Sequence, residues 1–118
     1  MRLKKDVQEA ILGTAASASE NSTEYDGEPY DKILLYVDVT AVTGTNPTLV
    51  VGLESSPDNG TTWYSLGNGM TIASVTKQRQ VYENIGLLVR VAATIGGTTP
   101  AFTYTVDIER AKVGTWAG

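Results

Sequence analysis

The stretch that decides the fold is Ala101-Phe-Thr-Tyr-Thr-Val-Asp-Ile-Glu-Arg110. Apolar and polar side chains alternate along it, which is the period of a β-strand with one face on a core and the other in water. The sequence therefore predicts a half-buried strand here. Its buried face is made of Phe102, Tyr104, Val106 and Ile108.

The same alternation recurs over much of the chain, and Gly, Pro, Asn and Thr separate the runs. No long segment has the period of a helix. In a chain of 118 residues this pattern predicts a single all-β domain, a β-sandwich or jelly-roll-like fold, and leaves a jelly-roll or immunoglobulin-like strand order open. The further strands are predicted at Ile33–Thr40, Leu49–Leu53, Thr61–Leu66, Met70–Val75, Arg79–Tyr82 and Leu87–Thr94.

Two segments of similar sequence, Val39–Val50 and Val91–Phe102, each contain a Gly-Thr-x-Pro unit between apolar runs. Gly44 and Gly97 can adopt the positive φ of a turn, and the proline that follows fixes φ at the start of a strand. We therefore predict two similar β-hairpins that supply most of the core.

The chain divides into three regions by composition. Residues 1–30 are polar and rich in Ala, Ser and Thr, which predicts an N-terminal arm with edge strands around Val7–Ser19, although Leu3, Val7 and Ile11 also fit one face of a helix. Residues 31–112 form the predicted sandwich, and residues 113–118 a C-terminal tail. The polar residues that follow Met1–Lys5 do not match a signal peptide, so we expect synthesis in the cytoplasm without export.

Composition excludes several classes of function. With 0 Cys and 0 His the chain has no disulfide, no Ser-His-Asp or Cys-His centre and no imidazole or thiolate metal site. A net charge of −4 argues against nucleic acid as a partner, and no apolar run approaches the ~20 residues of a membrane helix. Carboxylate, lysine and tyrosine chemistry remains, but these residues show no clear cluster, so we expect no enzyme activity, no cofactor and no metal.

Ser56-Pro-Asp-Asn-Gly-Thr-Thr-Trp63 matches the Ser-x-Asp-x-Gly-x-x-Trp pattern and resembles the Asp box of sialidase-like hairpins. The resemblance implies a stable turn away from any catalytic centre. The residues assigned to this structural turn are Ser56, Asp58, Gly60 and Trp63.

Two ligand hypotheses remain open beside this one. Aromatic side chains would suit stacking on a sugar ring, although Trp63 and Tyr104 fall on the inward phases of their strands, which favours the core. The candidate rings are Trp63, Tyr64, Tyr82, Tyr104 and Trp116. A set of carboxylates would suit calcium, although an acidic run is more often solvated or turned toward a partner. These carboxylates are Glu24, Asp26, Glu28, Asp31 and Asp58.

Three runs, Leu35–Leu49, Glu54–Tyr64 and Leu87–Val106, resemble small virion structural proteins of tailed bacteriophages. The likeness spans about residues 10–110 as a pattern of strands and turns and carries no catalytic residues. It implies a capsid decoration, or cement, protein that binds the major capsid protein on the exterior of the virion and stabilises the head. A tail or head-tail connector subunit and a carbohydrate-binding module for host attachment are the alternatives.

For such a protein we expect many weak contacts per particle and a homo-oligomer, with a trimer favoured. The arm and the tail are the expected contact elements, and the acidic cluster is expected to meet basic capsid residues. The predicted partner contacts are Leu3, Val7, Ile11, Glu24, Asp26, Glu28 and Trp116.

Overall fold

The computed structural model describes residues 4–27, 30, 32–67, 69–83 and 85–112. In these ranges the chain is all-β, as predicted, and no helix could cross a membrane. The strands are β1 (Lys4–Ala16), β2 (Glu20–Asn21), β3 (Tyr25–Asp26), β4 (Lys32–Ser56), β5 (Tyr64–Ser65), β6 (Met70–Ile72), β7 (Thr76–Glu83) and β8 (Leu88–Lys112).

Two long strands, β4 and β8, form the centre of the fold. Each has 25 residues, and they pair antiparallel from Lys32 opposite Ala111 to Ser56 opposite Leu88. A straight strand of this length would span about 80 Å at ~3.3 Å per residue. The longest dimension of the molecule is 52 Å, so the β4–β8 ribbon has to bend.

The bend lies at the centre of the ribbon, which we call the elbow and define as residues 40–48 of β4 and 96–101 of β8. The pairing register shifts here, as at β-bulges, between Val39 and Ala41 and at two further places before Thr48. The predicted hairpins are therefore wrong. Their Gly-Thr-x-Pro units do not turn each chain back on itself, but form the two bulged strands of the elbow and face each other.

Both strands pass through the elbow in the same way. Gly44 and Gly97 have φ of 114° and 111°, and Asn46 and Thr99 have φ of 49° and 50°. Thr45 pairs with Thr98 between them. The repeated sequence thus gives the elbow an approximate two-fold symmetry about the Thr45–Thr98 pair.

The elbow divides one continuous antiparallel sheet into two halves. In one half the strand order is β1-β8-β4-β7. In the other, β2 and β3 pair with β8, and β5 and β6 pair with β4. Alternate residues of each half are buried, and those of both halves belong to one core cluster. The halves therefore pack face to face as a sandwich.

The core confirms the alternation read from the sequence. The four residues assigned to the buried face of Ala101–Arg110 are at most 1% exposed. In the strands predicted at Ile33–Thr40, Leu49–Leu53 and Leu87–Thr94, every second residue from the first is buried too, apart from Leu87 itself, which is exposed. Gly13 leaves room for a large ring, because a Cβ there would lie 2.4 Å from Cε1 of Tyr104.

The N-terminal region contributes a strand to this sandwich. β1 pairs with β8 from Lys4 opposite Lys112 to Ala16 opposite Phe102, with bulges after Glu9 and Gly13. Ile11, predicted as a partner contact, lies in the core at 5% exposure and is not available to a partner. Its burial follows from the register, which sets it opposite the buried Val106.

Candidate functional site

The outer surface of the β1-β8-β4-β7 half is a broad face that carries both polar and apolar side chains, and we call it the β1–β7 face. Pairing in register sets its side chains in rows across the strands, because directly opposed residues share a face of the sheet. Three such rows are Val7, Glu109, Leu34 and Val81; Glu9, Asp107, Tyr36 and Arg79; and Leu12, Thr105, Asp38 and Lys77.

Polar contacts link neighbouring strands across this face. The Tyr36 hydroxyl donates to Glu109 Oε1 at 2.6 Å, and Lys77 Nζ lies 2.8 Å from Asp38 Oδ2. The hydrogen bond to Glu109, together with burial, raises the pKa of Tyr36. An open depression of about 430 Å³ lies over Tyr36, Asp38 and Lys77, with Arg79 and Asp107 also at its wall.

The two edges of the β1–β7 face are the longest open edges in the described part of the chain. Among the described residues, strand β1 pairs only with β8, and β7 only with β4. Val7 and Leu12 on β1 are 56% and 62% exposed, and Val75, just before β7, and Val81 are 61% and 43% exposed. An exposed apolar edge strand is a template for pairing with another chain unless it is blunted.

The Asp-box segment forms a tight turn held by its own side chains. Ser56, 1% exposed, receives the Gly60 amide on its Oγ at 2.8 Å and donates to Asp58 Oδ1 at 2.8 Å. Asp58 Oδ1 also accepts the Thr62 amide at 2.7 Å. Hydrogen bonds from Thr62, first from its side chain and then from its amide, lower the pKa of Asp58. The turn therefore uses the ionised carboxylate as a structural acceptor.

Trp63 closes the same turn and is only half-buried. Its indole N–H donates to the Gly60 carbonyl at 3.1 Å, and the Arg90 guanidinium lies 4.3 Å from the ring centroid. Arg90 is itself held by Glu54, with Nε 2.8 Å from Oε1. One face of the ring is thus covered by a cation. Tyr64, the next residue, is 58% exposed.

The acidic segment lies beside the Asp-box turn. A Cβ built on Gly60 would be 3.0 Å from Glu24 Oε2, so this carboxylate sits against the turn. Asp26 is exposed, and its carbonyl accepts a bond from Arg110 Nη1 at 3.0 Å. No three Asp or Glu side chains come together as a metal site among the residues that the structure describes.

The other predicted contact residues divide between the surface and the parts of the chain outside the description. Val7, Glu24 and Asp26 are exposed and accessible to a partner. Leu3, Glu28 and Trp116 lie outside the described residues, as do Asp31 and the tail at 113–118. Sequence reasoning missed the pairing of Arg90 with Trp63 and the rows of the β1–β7 face. Alternation along the strand assigned Arg90 to the outward face, which was the available signal for its contact with Trp63. The rows of the β1–β7 face can be read only when the register between neighbouring strands is known.

No protein-family model matches the chain, and no curated protein sequence matches it. Solved structures that share its fold include the following three. The SPBc2 prophage-derived protein YomS has a TM-score of 0.56 and 10% identity over 95% of this chain and 96% of that one. A disulfide-linked pilus of Bacillus endospore appendages has a TM-score of 0.53 and 16% identity over 97% of this chain and 93% of that one. A structure of infectious bursal disease virus, Gx strain, has a TM-score of 0.53 and 9% identity over 98% of this chain and 35% of that one.

Proposed function

We propose that this protein is a non-enzymatic structural subunit of a tailed-phage particle, which decorates the major capsid protein lattice from outside and stabilises the head. The observation that carries the proposal is the β1–β7 face, a wide sheet surface whose exposed apolar side chains line both edges. Such a surface suits contact with other proteins better than the enclosure of a small substrate.

The strand order supports the proposal. We infer a jelly roll, because β4 and β8 each cross from one half to the other and the halves read β1-β8-β4-β7 and β2/β3-β8-β4-β5/β6. Jelly rolls are common in viral capsid proteins. The fold shared with a prophage-derived protein and a virus structure is compatible with this role.

The acidic surface near the Asp-box turn is the proposed contact with the capsid. Glu24 and Asp26 are exposed at one end of the sandwich, and opposite charges on the lattice would steer the protein to its site. Each contact would be weak, and many copies on one particle would be retained together.

The experiment is co-sedimentation of the purified protein with purified heads and, separately, with purified tails of the phage that encodes it. Saturable binding to heads and a higher temperature of DNA release from decorated heads are expected. Binding to heads alone supports decoration. No binding to heads refutes it, and binding to tails alone would establish the tail alternative.

A charge reversal and a control of matched net charge locate the contact. Asp26→Lys is expected to weaken binding to heads on the order of tenfold and to flatten its salt dependence, as loss of an interfacial charge does. Thr71→Lys/Thr94→Lys, which makes the same change of net charge at two exposed sites on β6 and β8, is the control and should bind as the parent protein does. Equal binding by both variants would refute the acidic contact.

A tail or head-tail connector subunit is the second candidate. The observation in its favour is that the two long open edges, β1 and β7, lie on opposite sides of one half of the sandwich. Subunits joined through two different edges form rings when the rotation closes. Electron microscopy of the isolated protein distinguishes the two, because a connector forms rings of uniform size without heads.

A further inference from the structure

We propose that copies of this chain associate head to tail, the β1 edge of one copy adding to the β7 edge of the next so that the β1-β8-β4-β7 half continues from copy to copy. The two edges are complementary in three respects: the direction of their strands, the level of their residues along those strands, and the chemistry of their side chains. The inference concerns self-association alone and does not depend on capsid binding.

Strand direction is the first argument. Neighbours in the β1-β8-β4-β7 half are all antiparallel, so β1 and β7, the first and fourth strands, run in opposite directions. A second copy placed beside the first in the same orientation therefore brings its β1 antiparallel to β7. The β1–β7 face of both copies then lies on the same side.

Level is the second argument. Following the pairing across β8 and β4, Val7 is level with Val81 and Glu9 is level with Arg79 within one copy. The backbone register also sets Lys5 level with Glu83. A neighbour that shifts neither up nor down along the strands brings these same positions into direct opposition, over residues 5–9 of β1 and 79–83 of β7.

Side-chain chemistry is the third argument. Val7 meets Val81, which joins two exposed apolar side chains, and Glu9 meets Arg79, which joins opposite charges. Glu9 and Arg79 are both exposed on the β1–β7 face, Arg79 beside Tyr36. Pairs of this kind directly opposed on antiparallel strands stabilise a sheet, and like charges there destabilise it.

The other edges are poorer templates. In the second half the outer strands β2, β3 and β5 have 2 residues each and β6 has 3, too few for a continuous ladder. Pairing β1 with β1 of another copy brings like charges together in the register that opposes Glu9 to Glu9. The β1-to-β7 contact brings opposite charges and apolar side chains together at the same level along the strands.

Charge reversal tests the contact by mass measurement. Native mass spectrometry and sedimentation velocity over a micromolar dilution series are expected to show oligomers of the unmodified protein. Glu9→Arg sets two guanidinium groups against each other at the contact, and Arg79→Glu sets two carboxylates against each other. Each variant alone is expected to associate more than about tenfold more weakly.

The decisive sample is an equimolar mixture of these two variants. Each edge of one variant is then complementary to the facing edge of the other, so association is expected to return in strictly alternating order. Restoration in the mixture supports the β1-to-β7 contact. A parent protein that is strictly monomeric overturns it. Loss of association in Glu9→Arg but not in Arg79→Glu overturns it as well, since a β1-to-β1 contact would not involve Arg79.

Cysteine cross-linking gives a second readout that does not rest on charge. The chain has 0 Cys, so a Glu9→Cys/Arg79→Cys variant has only the two introduced thiols. Within one copy they lie about 14 Å apart across three strand spacings, too far for a disulfide, so oxidation can join only different copies.

The double variant is expected to give a ladder of dimers, trimers and larger species on a non-reducing gel. Glu9→Cys/Thr94→Cys, with one thiol moved to an exposed site in the other half, is the control and should give none. Circular dichroism of each variant shows that it is folded. Absence of the ladder, or dimers from Glu9→Cys alone, would overturn the proposal.

Discussion

Replacing Gly44 with alanine probes the elbow most directly. Gly44 has φ of +114°, and a Cβ there would lie 2.7 Å from the Thr99 carbonyl oxygen and 2.8 Å from Pro100 Cα. Both atoms belong to the backbone of the facing strand. The methyl group can be accommodated only if the two strands of the ribbon separate, so the substitution disturbs the sandwich at its bend.

Three effects set how much stability Gly44→Ala loses. The positive φ costs an alanine about 1–2 kcal/mol, and forcing a methyl group into a closed contact costs about 1–3 kcal/mol. The smaller freedom of alanine in the unfolded chain returns about 0.4–1 kcal/mol. We therefore expect Gly44→Ala to lower the free energy of unfolding by about 1–5 kcal/mol, or the midpoint of thermal unfolding by about 4–20 °C.

Gly67 provides a matched control. Its φ is +106°, close to that of Gly44, but no atom lies within 4 Å of a Cβ built on it. Gly67→Ala is therefore expected to lower the free energy of unfolding by about 1 kcal/mol or less, because the positive φ is the one unfavourable effect at this site. Gly97→Ala, whose Cβ would lie 2.6 Å from the Asn46 carbonyl oxygen, is expected to match Gly44→Ala.

Urea unfolding followed by circular dichroism measures all three variants. Equal losses in Gly44→Ala and Gly67→Ala would refute the reasoning, because the close approach of the two strands would then contribute nothing. A difference between Gly44→Ala and Gly97→Ala would refute the symmetry of the elbow.

Two further predictions concern β1 and the Asp-box turn. Ile11→Ala is expected to cost about 2–5 kcal/mol as a buried truncation, whereas Val7→Ala, at 56% exposure, should stay within about 0.5 kcal/mol in urea unfolding; equal effects would contradict the burial of Ile11. Because its folded pKa lies below the ordinary 3.8, Asp58 stabilises the protein above that pH, and this contribution is lost as the pH falls through the folded pKa. The stability difference between the parent protein and Asp58→Asn should therefore shrink on acidification, and a difference that grows would contradict this.

Alternation was enough to predict most of the strands and their buried faces, since burial on one face depends on period alone. Phe102, Tyr104 and the residues that alternate with them were assigned correctly for that reason. The strand predicted at Thr61–Leu66 is shorter in the structure, where only Tyr64–Ser65 is a strand. The Asp-box segment likewise carries its geometry in its own side chains, so the motif predicts the turn without knowledge of the rest of the fold.

Pairing was the part that local sequence could not determine. Gly-Thr-x-Pro favours the same dihedral angles in a hairpin turn and in a bulged strand, and the difference depends on which segment lies opposite. Here Thr45 faces Thr98, far along the chain. The match of Glu9 with Arg79 was hidden for the same reason, because it requires the register of three successive strand pairs.

The pairing of β1 with the far end of β8 has a consequence for biosynthesis. Glu9 pairs opposite Asp107, and at ~5–20 residues per second a ribosome takes about 5–20 s to make the chain between them. During that interval the nascent β1, with Ile11 still uncovered, has no partner strand of its own. Chains made side by side on one messenger each expose a β1 that fits the β8 of another chain, so we expect the amount of strand exchange to rise with polysome density.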